Sequence, residues 1–471
     1  MAKKNIALIM SGGFGTRLWP LSRQKMPKPF IKIDGNHSLL SLTYQRVSSL
    51  DLFDEIIFVT NQDFFYLTVN EITNIKNKLP TSFVLEPLSK NTSPAIAISS
   101  LYVKDKYGSD ANLLVLPSDH ILDNIPQFRT NIERALELVE LNKIVLFGIQ
   151  PRSPDTGYGY IQNDNEEVLA FKEKPSLDLA KKYIEQGDFL WNSGMFAFKV
   201  SQVISEYVLQ NKKNYEMYKN VYSNGVRKSI MGYDTIQFDK NQYNTLPSKS
   251  IDYDLIENSL SLAIVKGTFD WSDVGSWEEF KKLLDNNKAN KFDTHLYDCF
   301  DISAYSLEPK RLVCSGLKNM TIIDTGDVLY ISHNNSENNL KAIYEDLEKK
   351  DNNIIIENNI INRPWGSYKV VHADKSFKVK SIILNPHSEI SLQKHSKRSE
   401  HWTVVRGCAT VLIDGKRFVL KENQSTFISQ GSIHKLINEG DDCLEIIEVQ
   451  CGKYLGEDDI ERLDDKYVRF E

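Results

Sequence analysis

The segment Ser11-Gly12-Gly13-Phe14-Gly15-Thr16-Arg17-Leu18 follows directly on the apolar run Ile6 to Met10, and Pro27-Lys28-Pro29-Phe30 comes shortly after it. Glycine lacks Cβ and tolerates positive φ, so such a loop can curl and aim several backbone N–H groups at one anion. Arg17 and Lys28 add positive charge, and the chemistry on offer is the holding of phosphate. The spacing Gly12-Gly13-x-Gly15 matches neither the P-loop nor the dinucleotide fingerprint. Taken alone it reads as a tight strand-to-helix turn.

A bound nucleoside triphosphate calls for a divalent cation, and the cation calls for carboxylates. Asp119 stands in Pro117-Ser118-Asp119-His120 behind the apolar run Leu113 to Leu116, and Asp273 stands in Trp271-Ser272-Asp273-Val274-Gly275-Ser276-Trp277. Either by itself also fits a helix cap or a turn. Glu173-Lys174-Pro175 offers an acceptor for sugar hydroxyls and a cation for phosphate, and Asn192 can donate and accept at once. An exposed ion pair is the plainer reading of Glu173-Lys174. Asp252 in Ser250-Ile251-Asp252 is open to the same plain reading.

A second cluster lies far along the chain, in Gln393-Lys394-His395-Ser396-Lys397-Arg398-Ser399-Glu400-His401-Trp402, with Gly431-Ser432-Ile433-His434 further on. Gln393 and His395 share a face if the chain is extended, Glu400 opens another strand, and His434 opens a third. Four N and O ligands converging inside a barrel suit Zn²⁺ or another divalent cation. Without a barrel, an ordinary histidine on a partly solvated strand suffices.

Positioning these groups takes two kinds of architecture. Ile6 to Met10, Ile56 to Thr60, Phe83 to Leu85, Leu113 to Leu116 and Ile144 to Phe147 alternate with helical patterns, such as the stripe Ile132, Leu136, Val139. That alternation predicts βαβ units and a mainly parallel, Rossmann-like α/β sheet. A helix is expected to open near Thr92-Ser93-Pro94, with a hydroxyl as cap. Ligands of open α/β sheets bind beyond the carboxyl ends of strands, where Gly12, Glu86 and Asp119 all stand. From Thr156 to Trp277 the pattern is mixed, and pieces such as Thr156-Gly157-Tyr158-Gly159-Tyr160 predict a sugar-binding extension. Residues 291–355 read as a connector, with paired strands at Thr321 to Ile323 and Val328 to Ile331 and a helix over Leu340 to Lys349. Beyond it, strand-like runs with a hairpin signal at Asp414-Gly415 predict an all-β barrel over 356–471.

At 471 residues the chain exceeds one ordinary domain, and length alone predicts about three. Its 41% hydrophobic and 25% charged content is that of a globular protein, with no apolar run of the ~18 residues a bilayer requires. Lys3-Lys4 before Ile6 to Met10 imitates a secretory signal only in part, so a cytoplasmic chain is expected. A net charge of −6 gives no general attraction to nucleic acid. The basic residues Arg17, Arg23, Lys25 and Lys28 are therefore read as local, aimed at a small anion. Five cysteines without a Cys-x-x-Cys pair read as reduced thiols.

In order and spacing, the loop, Pro117-Ser118-Asp119-His120, Glu173-Lys174-Pro175, Asn192-Ser193-Gly194 and Asp273-Val274-Gly275-Ser276-Trp277 resemble the mannose-1-phosphate guanylyltransferases, over residues 1 to about 290. The resemblance implies that Gly12, Gly13, Gly15 and Thr16 cradle the phosphates of GTP, while Arg17 and Lys28 stabilise departing pyrophosphate. It implies that Glu86, Asn91 and Ser118 line the nucleotide, that Gly157, Glu173, Lys174, Asn192 and Asp252 hold mannose 1-phosphate, and that Asp119 and Asp273 hold Mg²⁺. No general base is needed, because a phosphate monoester with a second pKa of about 6 is already largely ionised. The run Gln393-x-His395-x-x-Arg398-x-Glu400-His401-Trp402 resembles the cupin metal site of type II phosphomannose isomerases, from Pro364-Trp365-Gly366 to Asp459-Ile460. Ser429 stands where cupins often carry proline, a turn position that binds no metal. This second resemblance implies Gln393, His395, Glu400 and His434 as ligands and interconversion of mannose 6-phosphate and fructose 6-phosphate. Arg398 would clamp the substrate phosphate or the developing charge, and His401 is either the proton-transfer base or structural. The alternatives are a guanylyltransferase with a non-catalytic cupin, one acting on another sugar 1-phosphate, or a nucleotide-sugar sensor. Partners are expected to be small molecules, with no nucleic acid, no membrane, and room for a homo-oligomer.

Overall fold

The apolar runs form strands buried on both faces, and that double burial explains their continuous hydrophobicity. The computed structural model of the chain describes all residues except 1–2, 14, 74, 77, 286–291, 335–339, 351–352 and 468–471. Phe14 of the glycine loop and the expected boundary at 290 fall outside the described residues. In the strand Asn5–Ser11, Ala7 and Ile9 enter one apolar cluster while Ile6 and Leu8 enter the other, on the opposite face.

The described residues place this strand in the middle of an eleven-stranded sheet. From one edge the order is Val226–Ile230, Tyr233–Gln237, Thr81–Glu86, Glu55–Asn61, Asn5–Ser11, Asn112–Pro117, Phe189–Lys199, Ile144–Ile149, Leu262–Lys266, Glu167–Lys172 and Tyr160–Asp164. Neighbours from Tyr233–Gln237 to Asn112–Pro117 are parallel. The long strand Phe189–Lys199 enters antiparallel between two strands that would otherwise adjoin. Its register, with Phe196 opposite Val115, carries Asn192 past the carboxyl end of Asn112–Pro117. Gly12, Glu86, Asp119 and Asn192 therefore gather at one end of the sheet. The helix over Thr92–Tyr107 is capped by the Asn91 side chain, which accepts from Thr92 N. The hydroxyl expected to cap it is engaged elsewhere, because Thr92 Oγ1 accepts from Ile251 N at 2.8 Å.

The connector holds an unforeseen coil. Phe292 lies beside Lys310 and Phe300 beside Lys318, both in parallel ladders with the same 18-residue offset. Lys318–Asp324 then pairs antiparallel with Leu329–His333, and a helix follows over Leu340–Lys350. The next short helix, Asn353–Ile356, is strapped to the segment after the glycine loop. Gln24 N and Lys25 N donate to the carbonyls of Ile355 and Ile356, and Trp19 Nε1 donates to that of Ile354. Arg23 is buried there, ion-paired with Asp327 at 3.2 Å, while Lys25 pairs with Glu357. Arg23 and Lys25 thus fasten the connector instead of facing a small anion.

The C-terminal strands form the double-sheet cupin barrel. One sheet runs Ile360–Arg363, Gly366–Ala373, Phe377–Leu384, Leu444–Gly452, Arg398–Arg406 and Ser425–Ile428. The other runs Lys416–Leu420, Ala409–Ile413, His434–Ile437, Leu392–His395 and Ile460–Asp464. One end of the barrel is filled by an apolar core that includes Ile382, Leu384, Trp402, Val404, Leu444 and Ile446. No helix of the described residues is long and apolar enough to cross a membrane.

Candidate active sites

A cleft of about 520 Å³ opens at the carboxyl end of the large sheet. Gly12, Gly13, Glu86 and Asn91 line one side, Gly157, Glu173, Lys174, Asn192 and Asp252 the other, and Asp273 joins them. A Cβ on Gly12 would stand 3.8 Å from Glu86 Oε2, so the loop and this carboxyl are immediate neighbours. Burial pushes Glu86 up to about 7, although the Tyr243 hydroxyl, donating at 2.5 Å, pulls the other way. Across the cleft Asn192 donates to Asp252 at 2.9 Å and accepts from Gly194 N at 3.1 Å. Burial, aided by the charge of Asp252, also pushes Glu173 up to about 7. Glu173 Oε2 is buried without a hydrogen-bond partner among the described residues, an acceptor left for a ligand.

Lys28 stands between the two aspartates. Its Nζ is 2.8 Å from Asp119 Oδ2 and also donates to the Asp273 carbonyl. Burial, the largest single influence, raises Asp119, but the Lys28 ammonium together with the hydrogen bonds the carboxyl accepts holds it below its ordinary range. Asp273 is likewise held low: burial raises it, while the Tyr158 hydroxyl donating to Oδ1 at 2.7 Å and the Lys28 charge lower it further. Burial pushes His120 down to about 4, so it is neutral at physiological pH, and its Nδ1 accepts from Trp271 Nε1 at 3.2 Å. Two carboxylates held in the ionised form beside one lysine suit a divalent ion in chemistry and charge. Asn91, Lys174 and Val274 all adopt positive φ, and for the β-branched Val274 at 49° this is a strained conformation beside Asp273.

Several residues expected at the nucleotide are not part of the cleft lining. Thr16 and Arg17 are exposed on a short 3₁₀ turn and, like Lys28 and Asp119, are not part of the cleft lining itself. Ser118 is buried and also lies outside the lining; its carbonyl accepts from Thr43. Gly15 lets Lys28 approach the loop backbone. Its φ is +63°, and a Cβ there would fall 2.3 Å from Lys28 Cβ.

In the barrel, His395 Nε2 is 3.1 Å from Glu400 Oε1, and His434 Nε2 is 3.7 Å from Glu400 Oε2. Ligand atoms from all three lie within 4.8 Å of one another, and Gln393 Nε2 is 3.5 Å from His395 Nε2. The other ring nitrogens contact carbonyls, His434 Nδ1 that of Ser432 at 2.9 Å and His395 Nδ1 that of Asp459 at 3.4 Å. This backing directs both Nε2 lone pairs inward. His434 Nε2 is buried with no hydrogen-bond partner among the described residues. An orphaned imidazole nitrogen beside a buried carboxylate is the donor set of a divalent-metal site. Burial raises Glu400, but His395, His434 and Arg398 together hold it far below the ordinary carboxylate range. His401 is exposed against Phe427, because alternation along the strand turns it away from the cavity that Glu400 enters. It cannot be the proton-transfer base.

Two family models match separate parts of the chain. The family described as nucleotidyl transferase matches residues 6–290, and the mannose-6-phosphate isomerase C-terminal family matches residues 350–465. Xanthan biosynthesis protein XanB of Xanthomonas campestris pv. campestris (strain B100) is 36% identical over 472 residues, covering 98% of this chain and 99% of the relative. Mannose-1-phosphate guanylyltransferase of Salmonella montevideo is 35% identical over 477 residues, covering 98% and 99%. The chain belongs to the mannose-1-phosphate guanylyltransferase family. A solved structure described as mannose-1-phosphate geranyltransferase from Thermus thermophilus is 27% identical with a TM-score of 0.62, covering 73% of this chain and 99% of its own.

For a guanylyltransferase of this family, sequence reasoning missed several supports. Gly159 admits Glu173, since a Cβ there would fall 2.5 Å from Glu173 Oε2. Tyr158 braces Asp273. In the barrel, Glu448 and Gln450 join the ligand network: Trp402 Nε1 donates to Glu400 at 3.2 Å and Glu448 at 3.0 Å, and Gln450 Nε2 donates to Glu400 at 3.3 Å and Glu448 at 2.8 Å. Burial and the neighbouring Glu400 charge push Glu448 up to about 8. The signal was present, because Leu444, Ile446, Glu448 and Gln450 keep the inward period of two.

Proposed function

We propose that this chain makes GDP-mannose and pyrophosphate from GTP and mannose 1-phosphate at the sheet end, and interconverts mannose 6-phosphate and fructose 6-phosphate in the barrel. The observation that carries the first activity is the cleft with Gly12, Gly13 and Glu86 on one side, Glu173 and Asn192 on the other, and Asp273 between. Nucleotide and sugar phosphate would meet there with the α-phosphorus near the two aspartates. Mg²⁺ held by Asp119 and Asp273 would neutralise the triphosphate. The protein's own task is alignment: Asn192 and the unpartnered Glu173 oxygen orient sugar hydroxyls, and loop N–H groups together with Lys28 receive negative charge as pyrophosphate leaves. The sugar phosphate is itself the nucleophile, so no histidine or cysteine is required.

For the barrel, Gln393, His395, Glu400 and His434 are the residues that would hold Zn²⁺ or a similar divalent ion. Such an ion would supply Lewis-acid polarisation of the sugar carbonyl. Coupled assays on purified protein test both activities: GTP or ATP with mannose or glucose 1-phosphate, and mannose 6-phosphate isomerisation measured separately. GDP-mannose formation selective for GTP and mannose 1-phosphate is the expected result. GDP-mannose without isomerisation would leave the barrel a supporting role, and neither product would refute the proposal.

A further inference from the structure

The metal-ligand cluster explains how the barrel would treat the carbonyl end of a sugar, but leaves its phosphate unaccounted for. Arg398 is poorly available for it. The guanidinium is 2% exposed and donates to Glu400 at 3.0 Å, to the Gly456 carbonyl at 3.0 Å and toward His395 at 3.3 Å. Three adjacent strands show where another cation lies. Lys380 sits in register with Glu448, and Glu448 with Trp402; one step toward the open end, Lys378, Gln450 and Glu400 form the next row. Lys380 therefore lies one row deeper than Glu400 and two strands away from it, about 10 Å across the sheet at ordinary strand spacing. That separation suits a six-carbon chain with its carbonyl at one end and its phosphate at the other.

We propose that Lys380, assisted by Arg363, is the phosphate subsite of the barrel, selecting a sugar 6-phosphate over the free sugar; this rests on the isomerase reading above. Lys380 is only 4% exposed, yet it faces the same cavity as Gln393 and Glu400. Its Nζ lies 4.6 Å from the centre of the Tyr368 ring, and the Arg363 guanidinium lies 5.4 Å from the same ring, so two cations converge on one aromatic plate. Two carboxylates already face Lys380, Glu448 at 3.9 Å and, nearer, Glu457. The Glu457 carboxylate contacts Lys380 at 2.5 Å from a short 3₁₀ turn, with its side chain 43% exposed. The remaining cavity is about 90 Å³. That is well below the ~300 Å³ at which small-molecule sites begin. Entry of the sugar phosphate thus requires Glu457 to withdraw, and the phosphate takes its place on Lys380.

The test compares full-length wild type with Lys380→Met, Lys380→Arg and Glu457→Gln. Kinetics are read with mannose 6-phosphate, direct binding of mannose 6-phosphate by calorimetry, and competition by inorganic phosphate. Losing a charged hydrogen bond should raise KM and Kd about 10- to 100-fold in Lys380→Met, with a smaller change in kcat and with phosphate competition abolished. Lys380→Arg should restore most of the affinity. Glu457→Gln should bind mannose 6-phosphate more tightly than wild type, because the competing carboxylate is gone. A purely structural ion pair predicts the reverse for Glu457→Gln, and weaker binding there would overturn the proposal even if Lys380→Met failed to fold. So would an unchanged KM in a folded Lys380→Met protein. Lys380-dependent binding without turnover in wild type would sink the isomerase reading and leave the phosphate subsite standing.

Discussion

Replacing Gly15 with alanine asks whether the glycine loop acts through its own backbone or through Lys28. Gly15 has φ +63°, where a residue with a Cβ is strained by about 1–2 kcal/mol. The new methyl carbon would also lie 2.3 Å from Lys28 Cβ and 3.4 Å from its Cα. The atoms in the way belong to the base of the side chain, so Lys28 cannot simply rotate aside. Forced overpacking of this kind costs about 1–3 kcal/mol, giving a total of about 2–5 kcal/mol. The lysine meets Asp119 at 2.8 Å, and a retreat of about 1 Å would break that contact and misplace the charge at the reacting phosphates, a displacement that can lower the rate about 100-fold. Gly35→Ala is the control, because Gly35 has φ +84° with nothing within 4 Å of the added carbon. Pyrophosphate release from GTP and mannose 1-phosphate, with urea unfolding of both variants, separates the effects. Gly35→Ala should lose only the backbone increment, whereas Gly15→Ala should lose transferase activity while isomerisation persists. Equal transferase activity in the two variants would show that the approach to Lys28 is immaterial.

Removing the orphaned imidazole in His434→Ala should lower the divalent metal retained by purified protein and abolish isomerisation while sparing GDP-mannose synthesis. Unchanged metal content by mass spectrometry would remove His434 from the ligand set. Burial, opposed by the Tyr243 hydrogen bond, raises Glu86 to about 7. Its contribution to stability is therefore full below the unfolded value of about 4.3 and is lost as pH climbs through about 7, on the order of 3 kcal/mol in all. Glu86→Gln should thus gain stability relative to wild type between about pH 4.5 and 7, and a urea-unfolding difference that is flat across this window would refute the assignment. Arg23→Met takes the buried cation away from Asp327 and the donor away from the Pro20 carbonyl, which should cost about 3–5 kcal/mol. A loss under about 1 kcal/mol in chemical unfolding would mean that the connector is held by other contacts.

The parts of this fold legible in the sequence were those written in one segment. Ile6 to Met10 reads as a buried strand because both its faces are covered, and the double-sheet barrel follows from its succession of short strand-like runs. What pairing decides was not legible. Nothing in Phe189–Lys199 alone says that it will enter antiparallel beside Asn112–Pro117, yet that insertion brings Asn192 across from Gly12. The connector coil is not legible in the sequence because its strands match in position and not in residue type, with Phe292 beside Lys310. At the sites, residue type indicated the carboxylates and histidines, but their partners came from long-range packing. Lys28 meets Asp119 through the turn at Gly15, and Arg17, of similar charge, remains exposed. Glu448 lies outside the ligand motif, and only the inward period of its own strand points to it.

The strap between connector and loop makes the division of this chain chemical more than structural. The residues between Gly15 and Lys28 take backbone partners from Ile355 and Ile356, bury Arg23 against Asp327, and place Trp19 under the Ile354 carbonyl. Lys28, at the far end of this strapped segment, reaches Asp119 and the Asp273 carbonyl. The loop that presents Gly12 and Gly13 is thus held on one side by its sheet and on the other by residues that lead directly into the barrel. A fragment ending near residue 290 would keep every proposed guanylyltransferase side chain, yet it would expose Trp19, Leu18 and Leu21, whose apolar cluster includes Tyr305, Ile323 and Ile355. The transferase chemistry belongs to the first domain, while the stiffness of its loop depends on residues that follow it.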